Sequence, residues 1–135
     1  MGGISTNKYK KGNSIIDFIS WFEIPAVNFK QAVVFYNKIY GITMETVENE
    51  SVSMAFFPVT TGIGGAIVSS LGSAPGDKGP LLYLNGGEDL NRVLEMVEPA
   101  GGRVVMQKTL INEESGYFAI FIDSEGNKLA LHSKN

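Results

Sequence analysis

The sequence predicts a single α+β domain made of two tandem βαβββ modules. Two stretches of apolar residues recur at helical spacing, and each is followed by three runs of strand-forming residues. The two helical stretches align at a constant offset, with Asn28 matching Asp89 and Gly41 matching Gly102. A chain of 135 residues has room for one domain, and its 44% hydrophobic content suffices for a core. The constant offset therefore indicates an internal repeat inside one domain.

The first module begins with a predicted strand over residues 16–25. Side chains alternate along a strand, so Phe22 and Ile24 share one face while Trp21 and Glu23 share the other. We expect the face with Phe22 and Ile24 to pack beneath a helix.

A helix follows, capped by Asn28 and ended by Gly41. Gln31 stands at the third helical position, which completes a capping-box variant with Asn28. One apolar stripe is predicted to be buried: Phe29, Ala32, Val33, Tyr36 and Tyr40. Three further strands are predicted after the helix, at Thr43–Val47, Val52–Pro58 and Gly65–Ser69.

The second module repeats this order after a turn-rich connector at residues 71–80. A strand at Leu81–Leu84 precedes a helix whose buried stripe is Leu90, Val93, Leu94 and Val97. The last three strands are expected at Arg103–Lys108, Gly116–Asp123 and Lys128–His132. We therefore divide the chain into a flexible tail (1–14) and one domain (15–135), with modules at about 15–70 and 81–134.

Composition excludes several classes of function. The net charge of −3 argues against a nucleic-acid partner. The chain has no cysteine, which excludes disulfides and thiolate metal sites. No apolar run is long enough to span a membrane, and the first residues do not resemble a secretory signal. A cytoplasmic protein is expected.

The local sequence resembles a known superfamily. The segments Trp21-Phe22-Glu23-Ile24-Pro25, Gly64-Gly65-Ala66 and the closing hairpin 116–127 resemble the vicinal oxygen chelate proteins (glyoxalase, bleomycin resistance protein and dioxygenase). Among these, the hairpin is similar to that of predicted enzymes related to lactoylglutathione lyase. The resemblance implies an incomplete, barrel-like curved sheet of eight strands. Its helices would lie on the convex side and a ligand cleft on the concave side.

The same resemblance places four metal-ligand positions, and this chain has no suitable ligand at any of them. The positions fall on Trp21, Leu82 and Ala130, and near Ser69. A zinc or iron site needs at least three converging imidazole or carboxylate donors, and the chain has one histidine. We therefore expect no metal and no cofactor.

Other side chains are candidates for a site in the cleft. Trp21 is expected to form a stacking floor, with Glu23 as a base or hydrogen-bond acceptor. Lys128, Ala130 and His132 share one face of the last strand, where Lys128 or His132 would contact an anion. Leu82 is the predicted second-module counterpart of Trp21. Because first- and last-strand ligands meet at one ion in metal-binding relatives, Glu23, Lys128 and His132 are expected to lie close together.

Three functions remain open at this point. The first is binding of a small organic molecule without chemistry, in the manner of bleomycin-resistance relatives. The alternative is a metal-independent lyase or isomerase in which Glu23, its pKa raised by an apolar cleft, acts as the base and His132 contributes. A further alternative is an assembly subunit whose cleft is filled by Trp21. Each is compatible with the same fold.

A homodimer is also expected. The first helix carries apolar residues beyond its core stripe, namely Val34, Phe35 and Ile39, and a second chain would cover them. Relatives resembling this sequence tend to pair, sometimes with a cleft shared between subunits.

The missing ligands give a first testable prediction. Protein purified without a His-tag should contain less than one equivalent of zinc, nickel, iron or manganese by elemental analysis. One equivalent that survives dialysis would contradict the assignment of the four positions.

Overall fold

A computed structural model describes residues 14–135, so most of the predicted tail (1–14) lies outside the described residues. The first module contains β1 (Trp21–Pro25), α1 (Phe29–Tyr40), β2 (Glu45–Glu48), β3 (Val52–Phe56) and β4 (Gly64–Ser70). The second contains β5 (Leu82–Asn85), α2 (Asn91–Leu94), β6 (Arg103–Asn112), β7 (Gly116–Ile122) and β8 (Lys128–Ser133). The predicted α+β class and the two tandem modules are confirmed.

Each module forms its own four-stranded mixed sheet. Sheet A has the strand order β1-β4-β3-β2 and sheet B the order β5-β8-β7-β6. In both sheets the first strand of the module runs parallel to the last, while the remaining pairs are antiparallel. Within residues 14–135, no helix is both long and apolar enough to cross a membrane.

Helix α1 begins and ends where local chemistry predicts. The side chain of Asn28 accepts a hydrogen bond from the backbone N–H of Gln31 at 3.1 Å, which satisfies a free amide of the first turn. Gly41 adopts the left-handed conformation with φ of 65°, a backbone geometry that favours glycine.

The two modules share one core, and α1 lies at its centre. The ring of Phe35 stacks on Phe121 of β7 with centroids 6.2 Å apart, so α1 packs against sheet B as well as against β4 of its own module. Phe35 and Ile39 are therefore buried inside the chain, and only Val34 of the predicted surplus is exposed. The prediction that these residues require a second chain was wrong for Phe35 and Ile39, which are buried within one chain.

The first strand is shorter than predicted. It begins at Trp21, and the residues before it have no regular structure. Their large apolar side chains are at least half exposed: Ile15, Ile16, Phe18 and Ile19. Apolar composition alone made this segment resemble a strand, although it has no neighbour with which to pair.

The second helix is also shorter than predicted. Helix α2 spans only Asn91–Leu94, and turns continue to residue 101. The predicted stripe is nonetheless buried: Leu90, Val93, Leu94 and Val97. Burial here follows the apolar pattern, while regular α-helical hydrogen bonding does not extend along it.

The repeat offset differs from the predicted one at both ends of the first βα unit. The N–H of Ala26 donates to the carbonyl of Val68, and in the second module the N–H of Gly86 donates to the carbonyl of His132 in the same way. Ala26 therefore corresponds to Gly86. Gly41, which ends α1, has a positive φ. Its counterpart with a positive φ in the second module is Gly101, and not the predicted Gly102. At these two positions the structural offset is thus one residue shorter than the sequence alignment indicated.

A turn between β7 and β8 clamps the second module to the first. The Glu125 carboxylate accepts hydrogen bonds from the N–H groups of Val27 and Asn28 at 2.8 and 2.7 Å, immediately before α1. The amide of Asn127 donates to the carbonyl of Pro25 at 2.8 Å. This turn therefore satisfies polar backbone groups where β1 meets α1.

Tyr36 and Asp123 connect the modules inside the core. The buried hydroxyl of Tyr36 donates to Asp123 at 2.8 Å. Asp123 also accepts from the N–H groups of Glu125 and Asn127, which fixes the turn. Burial, and next the negative charge of Asp123, hold the pKa of Tyr36 well above its usual value, so the hydroxyl remains a donor.

We expect Tyr36→Phe to lower the free energy of unfolding by about 1.5 to 3 kcal/mol, the range for a buried hydrogen bond to a charged group. Urea denaturation followed by circular dichroism measures it. Tyr83→Phe is the matched control, since Tyr83 is 42% exposed. Equal stability of the Tyr36 variant and the wild type would show that the bond does not hold the modules together.

Candidate functional site

The strand parity of β1 separates a core face from an open face. Ile24 is 3% exposed and Phe22 packs against the core, whereas Trp21 is 45% exposed and Glu23 is also exposed. Trp21 and Glu23 thus lie on the side of sheet A opposite the core. We call this side the open face of sheet A; the strand register also places on it Gly64, Ala66, Met54, Phe56 and Glu45.

The indole of Trp21 is held in one orientation. Its Nε1–H donates to Oε2 of Glu23 at 3.2 Å, and its ring lies 6.3 Å from that of Phe56 between centroids. A Cβ added at Gly64 would lie 3.2 Å from Cζ3 of Trp21, so the ring rests on the bare backbone of β4. An exposed aromatic ring fixed on three sides needs little ordering when it meets a ligand.

Sheet B carries a second aromatic pair on the corresponding face. Tyr83 and Phe118 have ring centroids 6.3 Å apart. Tyr83 pairs in register with Ala130, which is completely buried, and His132 pairs with Phe118. Ala130 therefore forms part of the floor between larger side chains.

His132 has a defined hydrogen bond. Its Nε2 lies 2.6 Å from the carbonyl oxygen of Ser115, which can only accept, so Nε2 carries the proton. In the neutral ring Nδ1 is then an acceptor. Lys128, on the same face by parity, is exposed.

The expected proximity of Glu23, Lys128 and His132 stays a prediction. Among the described residues, ion pairs form between Lys108 and Asp89 and between Lys78 and Asp77, but none joins Glu23 to either partner. Glu23 is exposed and His132 bonds to the backbone of its own sheet. One chain therefore does not surround Glu23 with apolar groups.

Leu82 does not lie on the face that the sequence alignment predicted. It pairs with the buried Leu129 and packs against the core, while its neighbour Tyr83 lies on the open side with Ala130. A one-residue error in register moves a strand residue to the other face, and the shorter structural offset explains the error. On β4 the counterpart of Ala130 is Ala66, and not the predicted Ser69, because Ala66 pairs with Glu23 as Ala130 pairs with Tyr83.

The donor set does not suit a metal ion. Between residues 14 and 135, no group of three His, Asp or Glu side chains is placed to share one. The positions carried over from the resemblance hold an indole and small or aliphatic side chains. Sequence reasoning missed Phe56, Tyr83 and Phe118, because cross-strand neighbours depend on register.

Comparison with known proteins gives a consistent class. No known family profile matches the sequence. The sequence is 27% identical over 118 residues to a "Glyoxylase-like domain-containing protein" from Didymella fabae, covering 84% of this chain and 91% of that protein.

Solved structures agree at the level of fold. A glyoxalase I mutant from Zea mays aligns with a TM-score of 0.64 at 18% sequence identity. The alignment covers 84% of this chain but only 45% of the maize chain. A glyoxalase/bleomycin resistance protein/dioxygenase family enzyme from Burkholderia phytofirmans PsJN aligns with a TM-score of 0.62 at 13% identity, covering 86% and 98% of the two chains. An antibiotic binding protein from Streptomyces sp. CB03234 aligns with a TM-score of 0.62 at 19% sequence identity. The alignment covers 90% of this chain and 99% of that protein.

The fold of this chain is that of the glyoxalase, bleomycin resistance protein and dioxygenase structures. The chain has the vicinal oxygen chelate architecture that its motifs indicated, and it is a homologue of a glyoxalase-like domain protein. The resemblance stated from the sequence is confirmed.

We expect Gly64→Ala to displace the indole of Trp21, because the new Cβ would come within 3.2 Å of the ring. The near-ultraviolet circular dichroism of the indole band should change while the far-ultraviolet spectrum does not. Gly76→Ala is the matched control, since a Cβ there meets nothing within 4 Å. An unchanged indole band in the Gly64 variant would show that the ring is not fixed by β4.

Proposed function

We propose that this protein binds a small, flat organic molecule against the indole of Trp21. The observation that carries the proposal is a large aromatic ring that is 45% exposed and yet held by Glu23, Gly64 and Phe56. Aromatic faces in such positions bind planar ligands by stacking. A similar fold in an antibiotic binding protein lends support.

The other residues of the open face of sheet A also suit a bound ligand. Ala66 is completely buried beneath its neighbours, while Met54 and Phe56 remain partly exposed. The result is a mainly apolar surface with one carboxylate beside the indole. A site of this kind combines contact area with one polar group that orients the ligand.

The chain has one tryptophan, which makes the test direct. Titration with quinoline at neutral pH should shift the indole N–H resonance of Trp21 in a saturable way, since this resonance has no counterpart elsewhere. Calorimetry of Trp21→Leu should show binding weakened by about tenfold or more, as expected when a stacking ring of about 1.5 kcal/mol is removed.

Leu71→Ala is the matched control. Leu71 is fully exposed in a turn after β4, so this variant removes apolar surface away from the site and should bind quinoline as the wild type does. Failure of flat aromatic probes, neutral or charged, to shift the Trp21 resonance would refute binding on the indole.

A second candidate is a metal-independent lyase or isomerase that uses Glu23 as base. It is favoured by the position of the carboxylate beside the indole, where Oε2 accepts from Nε1. The exposure of Glu23 in one chain weighs against it, since a desolvated base would need further cover. Loss of turnover in Glu23→Gln, with binding retained, would favour this candidate. The third hypothesis, a cleft filled by Trp21, agrees poorly with an indole that is 45% exposed.

We also propose that the working unit is a homodimer. The support now comes from the segment before β1, where Ile16 is 97% and Phe18 86% exposed. A second copy can bury both. Light scattering should give twice the single-chain mass of 14.6 kDa, and the single-chain value would contradict the dimer.

A further inference from the structure

The charges on the open face of sheet A are all of one sign. Its aromatic side chains are Trp21 and Phe56, and its ionisable ones are Glu23 and Glu45. The sequence contains no Lys, Arg or His over residues 14–29 or 39–77, which include all four strands of the sheet. We propose that the ligand stacked on Trp21 is a planar organic cation. The inference rests on the proposed binding function and specifies its ligand class.

The position of Glu23 gives the preference a local cause. Glu23, Ala66, Phe56 and Glu45 stand in register across β1, β4, β3 and β2. Three strand spacings separate the two carboxylates by about 14 Å, so a small ligand over the indole contacts Glu23 and not Glu45. Glu45 adds only a weaker field of the same sign, which salt screens.

The indole is the aromatic ring best suited to a cation. A positive group over an indole face is attracted by the negative charge density of the ring, and the attraction increases when water is excluded. The hydrogen bond from Nε1 to Glu23 polarises the indole further, because its donor proton faces a full negative charge. The ring and the carboxylate therefore favour the same ligand charge.

The basic residues Lys38, Lys128 and His132 belong to elements outside sheet A. Lys38 of α1 donates to the carbonyl of Pro99, on the helix side of the molecule. Lys128 and His132 belong to sheet B. A ligand anion would therefore have no cation to contact on β1 to β4, and would be repelled by Glu23.

Three bicyclic probes of similar shape test the charge of the ligand. They are 1-methylquinolinium (cation), quinoline (neutral) and 1-naphthoate (anion), each titrated into the full chain by calorimetry at low and high salt. We expect the cation to bind about tenfold more tightly than quinoline, and the anion to bind more weakly than both. The advantage of the cation should shrink at high salt.

Glu23→Gln keeps an acceptor for the indole N–H and removes only the charge. The ratio of the quinoline and 1-methylquinolinium dissociation constants should fall from about ten to about three in this variant, because the attraction of the cation to the indole face remains. Glu95→Gln is the matched control, since Glu95 is an exposed carboxylate next to α2 and should leave the ratio at its wild-type value.

The outcomes separate this inference from the proposed function. If quinoline or the anion binds at Trp21 as tightly as the cation, the charge preference is wrong and the binding function stands. If none of the three probes shifts the Trp21 resonance, the binding function itself is wrong. A cation preference of full wild-type size in Glu23→Gln would overturn the role of the carboxylate.

Discussion

The hydroxyl of Tyr36 meets the carboxylate of Asp123 inside the core, across the boundary between the two modules. Each module presents one sheet face that needs cover, and α1 covers both through residues such as Phe35. A polar group in that position is tolerated only when it is paired. The pairing of Tyr36 with Asp123 also holds the turn that caps α1. This contact therefore joins α1 of the first module to the turn between β7 and β8 of the second.

Two consecutive glycines explain how β1 can carry aromatic rings on both sides. Gly64 lies beneath the indole of Trp21 on the open face, and Gly65 lies beneath the ring of Phe22 on the core face. A Cβ at Gly65 would come within 2.4 Å of the Phe22 ring, which is incompatible with the packing. The same short segment of β4 thus contacts a ring of the core and the ring of the candidate site.

The sequence predicted correctly those features of the fold that depend on interactions between residues close together in the chain. The Asn28 cap, the Gly41 stop and the alternation of Phe22 and Ile24 depend on neighbours within a few residues, and the structure has them as predicted. The face of Leu82 was predicted wrongly because a single extra residue between β5 and α2 is invisible to an alignment of apolar stripes. The role of Glu125 depends on a partner that no local pattern indicates.

The clamp formed by the last turn has a consequence for how the chain folds. Glu125 bonds to amides 97 and 98 residues earlier, and Asn127 reaches a carbonyl 102 residues away. During synthesis, α1 emerges long before the carboxylate that completes its N-terminus. Such distant pairings slow folding, and the part of α1 that packs on sheet B stays uncovered until the second module is made. A chain cut before residue 123 would lack both the clamp and Asp123, and its first module would be the aggregation-prone part.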